Sequence, residues 1–173
     1  MKKIILSLGV LLALSTTANA KFDDFKYKKS NISSYMFGVY GGIGYSSLTE
    51  ETIFEGGVNT LYMYDIGTRM NVGFRGAFKY VSDDLDVYDD YKFEFEPYVG
   101  YKISPNVNIY AGYGFEFLSE IETNYFIFGI DYFISESLII EAKYKNKSFT
   151  QYNNIDSENI MQINAVIPFN FYK

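Results

Sequence analysis

The stretch "YKFEFEPYVGYK" at residues 91–102 alternates apolar and polar residues with a period of two. Successive side chains of an extended strand point to opposite faces. One face would therefore carry Phe93, Phe95, Pro97, Val99 and Tyr101, and the other Lys92, Glu94, Glu96, Tyr98, Gly100 and Lys102. A soluble sheet turns its apolar face toward a core, whereas a strand in lipid turns it outward. The fold depends on which face of this strand is inside.

The same alternation recurs along the chain and predicts eight strands. They cover residues 35–46, 55–66, 69–81, 91–102, 107–118, 125–134, 138–147 and 160–172. Short turns at 67, 104–106 and 135–137 alternate with longer polar connections at 47–52, 82–90, 119–123 and 148–158. One end with tight turns and one end with long loops is typical of an up-and-down transmembrane barrel. A further strand pair hidden in a long loop would raise the count to ten.

The composition of the two faces decides which one is inside. The apolar faces are nearly free of charge and rich in aromatic residues, as lipid requires of a barrel's outer surface. The second faces carry glycine, asparagine, tyrosine and opposite charges, and glycine suits the crowded interior of a small barrel. We therefore predict an all-β, antiparallel transmembrane barrel whose charges form a salt-bridged network in the lumen. The predicted members are Arg75, Lys79, Lys92, Glu94, Glu96, Glu116, Asp131, Glu141, Lys143 and Lys145.

The first twenty residues have the three-part layout of a secretory signal. Lys2 and Lys3 precede an apolar run over 4–14, and Ala18-Asn19-Ala20 supplies small residues for cleavage. The run is too short for a membrane-spanning helix, which needs about 20 residues. We predict a signal peptide at 1–20, a periplasmic leader at 21–33 and a barrel domain at 34–173. The leader could equally be a plug in the lumen or an extra edge strand.

The composition excludes several classes of function. The chain has no cysteine and no histidine, which removes disulfides, thiolate metal sites and the commonest general base. The net charge of −6, or −8 without Lys2 and Lys3, argues against a nucleic-acid partner. No nucleophile–base pair accompanies the lumen charges, so we expect no enzymatic activity and no cofactor.

An acidic connection is the one candidate metal site. Residues 82–90 contain Asp83, Asp84, Asp86, Asp89 and Asp90. Clustered carboxylates suit calcium, or a divalent bridge to lipopolysaccharide phosphates. The segment lacks the glycine of a calcium-binding loop, and runs of one charge are commonly only solvated. Both interpretations stay open at this stage.

The turns and the C-terminus carry a resemblance to a known group. "YKISPNVNI" at 101–109 is echoed by "YFISESLII" at 132–140, an offset of 31 residues, and the chain ends in "INAVIPFNFYK". With the signal and the glycine-containing strands, this resembles the small single-chain outer-membrane β-barrels of Gram-negative bacteria, the OmpX-like and opacity-like proteins. The resemblance implies that Ile167, Phe169 and Phe171 form the signal read by the outer-membrane assembly machinery. Here Tyr172 and Lys173 follow Phe171, and Pro168 interrupts the strand.

Three functions agree with these observations. The first is a monomeric outer-membrane barrel with a structural or surface-interaction role, in contact with outer-membrane lipid, lipopolysaccharide and a surface ligand. The second is a narrow channel through the lumen. The third is a soluble periplasmic barrel that binds an apolar ligand, with the apolar face turned inward.

Overall fold

The computed structural model describes residues 33–48, 50–83, 90–117, 123–135, 137–151 and 154–172. The predicted signal peptide and all but the last residue of the predicted leader lie outside these ranges. Within them, no helix is long and apolar enough to cross a membrane.

Eight antiparallel strands form one closed barrel. Each strand pairs with the next along the chain, and β1 pairs with β8 to close the sheet. The bounds are β1 Ser33–Ser46, β2 Thr52–Ile66, β3 Met70–Asp83, β4 Asp90–Ser104, β5 Val107–Phe117, β6 Thr123–Ser135, β7 Leu138–Gln151 and β8 Asn154–Tyr172. The predicted up-and-down barrel of eight strands is confirmed, and the ten-stranded alternative is wrong.

The β7–β8 connection differs from the prediction. Residues 148–158 were expected to form a long loop, but β7 and β8 continue through them and leave only 152–153 between the strands. Pairing extends to Gln151 with Asn154, whereas β6 pairs with β7 only as far as Ser148. The strands could not be recognised here because the segment is polar and shows no apolar alternation. A hairpin that extends past its neighbouring strands has no apolar face to bury, so it needs no such pattern.

The outer face of the barrel is apolar. Phe93, Phe95 and Val99 are 39%, 37% and 52% exposed, while Glu94 and Glu96 are each 2% exposed. The same division holds on every strand: among the side chains whose burial is described, no charged strand residue is exposed. The soluble alternative is therefore wrong, because it requires the phenylalanines inside and the carboxylates outside.

Pro168 coincides with an irregularity in the pairing of β1 with β8. Proline has no N–H to donate to a neighbouring strand. The register shifts there, so that Gly38 pairs with Pro168 and Phe37 with Asn170. Beyond the shift, the backbone of Phe171 lies opposite Met36. Ile167 and Phe169 are 51% and 56% exposed on the outer face. Their predicted part in assembly stays a prediction.

Large tyrosines in the lumen pack against glycines of the neighbouring strand. A Cβ placed on Gly129 would lie 2.3 Å from the ring of Tyr110, and one on Gly114 would lie 2.2 Å from the ring of Tyr125. Tyr110 and Tyr125 are each 1% exposed, so an added Cβ would press against a buried ring. Glycine is required at these positions because the barrel is narrow and a ring fills the space that a side chain would occupy.

We expect Gly129→Ala to destabilise the barrel by about 1–3 kcal/mol through overpacking against Tyr110. Urea unfolding of the refolded barrel in lipid vesicles measures this change. Gly41→Ala is the matched control, since a Cβ there meets only one backbone oxygen at 3.9 Å. Equal stability of the two variants would contradict the described packing.

Candidate functional site: the ion-paired lumen

The interior of the barrel is crossed by a network of ion pairs. Among the described residues, these pairs join seven cationic and seven anionic side chains, which we call the lumen lattice. Its members are Arg75, Lys79, Lys92, Lys102, Lys143, Lys145 and Lys147, with Glu55, Asp65, Glu94, Glu96, Glu116, Asp131 and Glu141. The lattice contains all ten residues predicted from the sequence.

Glu94 is shared by two lysines toward the loop end of the barrel, the end where β3 joins β4. Its Oε1 lies 2.8 Å from Lys79 Nζ and also contacts Lys145 Nζ. Lys79 Nζ donates in addition to Glu55 at 2.8 Å. All four side chains are at most 7% exposed. Each charge here is compensated by a direct partner, as burial requires.

The middle of the lattice is held by Glu96 and Lys143. Lys143 Nζ donates to Glu96 Oε2 at 2.8 Å and lies 3.6 Å from Glu141 Oε2. Glu96 also accepts a hydrogen bond from the Tyr125 hydroxyl at 2.9 Å. Lys145 Nζ lies 3.7 Å from Glu96 Oε1, which connects this group to Glu94. The ion pairs between Glu55 and Asp131 therefore form one continuous chain of nine side chains, and the remaining members of the lattice pair outside it.

Arg75 continues the chain toward the tight-turn end, where β4 joins β5. Its guanidinium donates to Asp131 at 2.5 Å and to Glu141. The same group lies over the ring of Tyr110 at 4.0 Å and near that of Tyr98 at 5.2 Å. A cation held by two carboxylates and covered by aromatic faces is fixed in position.

Three further ion pairs lie nearer the ends of the barrel. Glu116 pairs with Lys147 at 2.8 Å and with Lys92 at 3.3 Å toward the loop end. Lys102 pairs with Asp65 at 2.6 Å toward the tight-turn end. Asn71 donates to Asn108 at 2.8 Å beside the Arg75 group. Polar side chains therefore fill the barrel along its axis.

Four members of the lattice were not predicted: Glu55, Asp65, Lys102 and Lys147. Lys147 lies two residues beyond Lys145 on the same face of β7, and Lys102 lies on the inner face of β4. The alternation of side chains in the sequence therefore already placed both lysines on an inner face. Glu55 and Asp65 belong to β2, where the alternation is the least regular. Their partners come from β3 and β4, and only the register of the folded sheet shows that the charges meet.

The lattice leaves little free space in the lumen. One cavity of about 30 Å³ lies beside Arg75, between Glu55, Glu96 and Glu141. This volume corresponds to about one or two water molecules. An eight-stranded barrel is just wide enough for side chains to fill it. Chemically, the arrangement neutralises buried charge and cross-links the strands.

The acidic connection is only partly described. Asp83 ends β3 and Asp90 begins β4, while Asp84, Asp86 and Asp89 lie outside the described residues. Within the described ranges, no group of three or more histidine, cysteine, aspartate or glutamate side chains is arranged to hold a metal ion. Cation binding by this connection therefore stays an open alternative.

The chain has the fold of known transmembrane barrels. It is similar to a de novo designed transmembrane β-barrel, with 18% identity, a TM-score of 0.51, and coverage of 81% of this chain and 100% of that chain. Weaker similarities are to Ail, the attachment invasion locus protein of Yersinia pestis, and to Neisserial surface protein A. Ail gives 15% identity, a TM-score of 0.41, and coverage of 81% of this chain and 99% of that one. Neisserial surface protein A gives 12% identity, a TM-score of 0.40, and coverage of 79% and 97%.

No protein-family model matches the sequence, and comparison with curated proteins gives no significant match. At these identities the similarity concerns the fold alone.

Proposed function

We propose that this chain is an integral outer-membrane protein with a structural or surface-interaction role, and that its lumen does not conduct. The observation that carries the proposal is the division of the barrel wall. The exposed outer positions are mainly apolar and rich in aromatic residues, and the charged strand residues of the lattice are turned inward and paired. A closed barrel leaves no strand edge unpaired in lipid. The signal sequence expected at 1–20 supports export to the envelope.

The lumen is filled by paired side chains, so we assign contact with the surroundings to the loop end of the barrel. The strand ends that flank residues 49, 84–89 and 118–122 lie there, together with the extended strands β7 and β8. Asn159 anchors the base of this hairpin, where it accepts hydrogen bonds from Tyr144 at 2.6 Å and Asn146 at 2.7 Å. We infer that these segments form the surface that meets lipopolysaccharide, a host molecule or another cell.

Deleting residues 84–89 tests this surface role. The deletion leaves Ser82 and Asp83 as a short connection between Val81 and Asp90, which are already paired. We expect the barrel to fold while adhesion or serum resistance conferred on an expressing cell falls several-fold. The triple variant Asp84→Asn, Asp86→Asn, Asp89→Asn keeps the length and isolates the charge. If this deletion and matching deletions of the other loop-end connections leave every surface phenotype unaltered, the surface role is refuted.

The narrow channel is the alternative, and planar lipid bilayers distinguish it from the structural role. We expect no single-channel steps above the baseline, because charged and aromatic side chains occupy the lumen from Glu116 to Asp65. An eighteen-stranded porin-type barrel would serve as the conducting control in the same bilayer. Reproducible steps from the wild-type protein would favour the channel and refute the closed lumen.

A further inference from the structure

The cavity beside Arg75 has a polar wall with unpartnered atoms. Its lining includes Asn59, Arg75, Asp131 and Asn164. Within the described part of the chain, Asn59 Oδ1, Arg75 Nε, Asp131 Oδ1 and Asn164 Oδ1 are buried and have no hydrogen-bond partner. Asp131 and Asn164 are each only 1% exposed. Buried polar atoms in folded proteins almost always have a partner, from the protein or from water.

The size and chemistry of the cavity specify its occupant. A volume of about 30 Å³ accepts a ligand of one or two non-hydrogen atoms. The unpartnered atoms are three acceptors and one N–H donor, which a molecule that both donates and accepts can satisfy. A metal ion would meet the guanidinium of Arg75 and the ammonium of Lys143 in the same wall. Water fits the volume and the mixed hydrogen-bonding pattern together.

We propose that this cavity is a binding site for one or two structural water molecules that connect the β2 and β8 asparagines to the Arg75 ion pairs. Asn59 lies on β2, Arg75 on β3, Asp131 on β6 and Asn164 on β8, so the bound water joins strands from opposite sides of the barrel. The side chains of Met36, Leu61, Ile139 and Val166 form the apolar part of the wall. The site goes beyond the proposed envelope role, because it assigns a ligand to the lumen itself.

The chain contains only two arginines, so nuclear magnetic resonance can observe the arginine at the cavity without overlap from many others. Arg69 is exposed beside the β2–β3 turn, and Arg75 lies at the cavity. Labelling arginine with ¹⁵N at Nε therefore gives two side-chain N–H signals in the folded barrel, and Arg69→Lys assigns them. We expect the Arg75 Nε–H to show a nuclear Overhauser cross-peak to water with the sign of a long-lived, slowly tumbling molecule. Arg69 is the internal control and should show only the behaviour of bulk water.

A substitution provides the second measurement. Asn59→Leu removes one acceptor from the cavity wall and adds apolar volume. We expect the Arg75–water cross-peak to lose at least half its intensity and the urea midpoint to fall. Val58→Leu, which adds an apolar group on the exposed outer face next to it, should change neither value.

Three results would contradict the proposal that this cavity binds structural water. The Arg75 Nε–H could give no cross-peak to water, which would mean a dry cavity. It could give a cross-peak with the sign of bulk water, which would mean an open lumen. Finally, Asn59→Leu could raise the urea midpoint, which is the result expected when an apolar side chain fills a dry cavity.

Discussion

Replacing Glu94 with alanine is expected to destabilise the barrel by about 3 kcal/mol, the lower end of the range for breaking a buried ion pair. The carboxylate lies between Lys79 and Lys145, so its removal leaves two buried ammonium groups with one fewer counter-charge. Glu55 still pairs with Lys79, and Glu96 still lies near Lys145. These remaining carboxylates limit the loss of stability. Urea unfolding of the barrel in lipid vesicles measures the change.

Two controls separate charge from volume. Glu94→Gln combined with Lys145→Met removes a cation and an anion together, and we expect most of the lost stability to return, since uncharged replacements of buried pairs are often neutral. Glu50→Gln changes an exposed residue in the β1–β2 connection and should stay within about 0.5 kcal/mol of the wild type. If Glu94→Ala changed the stability no more than Glu50→Gln, the lattice would be open to solvent.

We also expect a large loss of stability when Ala111 is replaced with lysine. Ala111 is exposed near the middle of β5 and pairs with Val99 and Phe128, which also face outward. A lysine near the midplane of a bilayer costs about 2–4 kcal/mol on the outer face of a barrel. Because alanine has almost no side chain, the substitution adds a charge and removes no packing.

Ala111→Leu is the matched control for this position. It adds a side chain of comparable bulk without charge and should leave the unfolding free energy unchanged or raise it. The comparison is made in lipid vesicles of fixed chain length, since the penalty depends on the depth of the residue. Equal stability of the lysine and leucine variants would mean that the outer face at this position meets water.

The fold could be predicted because its main signal is local. Alternation on β4 places Phe95 and Glu96 on opposite faces wherever the strand pairs. The decision about which face is inside needed only the charge and glycine content of those faces. The β7–β8 hairpin could not be predicted in the same way, because its extension past Ser148 depends on backbone pairing between two polar segments.

The sequence predicted which charged residues line the lumen, but it did not predict which of them pair with each other. Lys79, Glu94 and Lys145 each lie on a predicted inner face. That Glu94 joins Lys79 on the neighbouring β3 and Lys145 on β7, three strands away, follows from the curvature of the closed sheet. The cavity beside Arg75 could not be predicted from the sequence either, because it is a volume left between side chains of seven strands.

Accessibility along residues 91–102 tests the orientation of the wall most directly. The chain contains no cysteine, so single cysteines can be introduced one at a time and spin-labelled without background. The account predicts that labels at 93, 95 and 99 collide readily with oxygen dissolved in the acyl chains and hardly at all with a water-soluble nickel chelate. Labels at 92 and 102 lie on the inner face near the two ends of the strand. They should collide readily with the nickel chelate and hardly at all with oxygen in the acyl chains. High chelate accessibility at 93, 95 and 99, with oxygen favoured at 92 and 102, would contradict the central claim that the apolar face meets lipid.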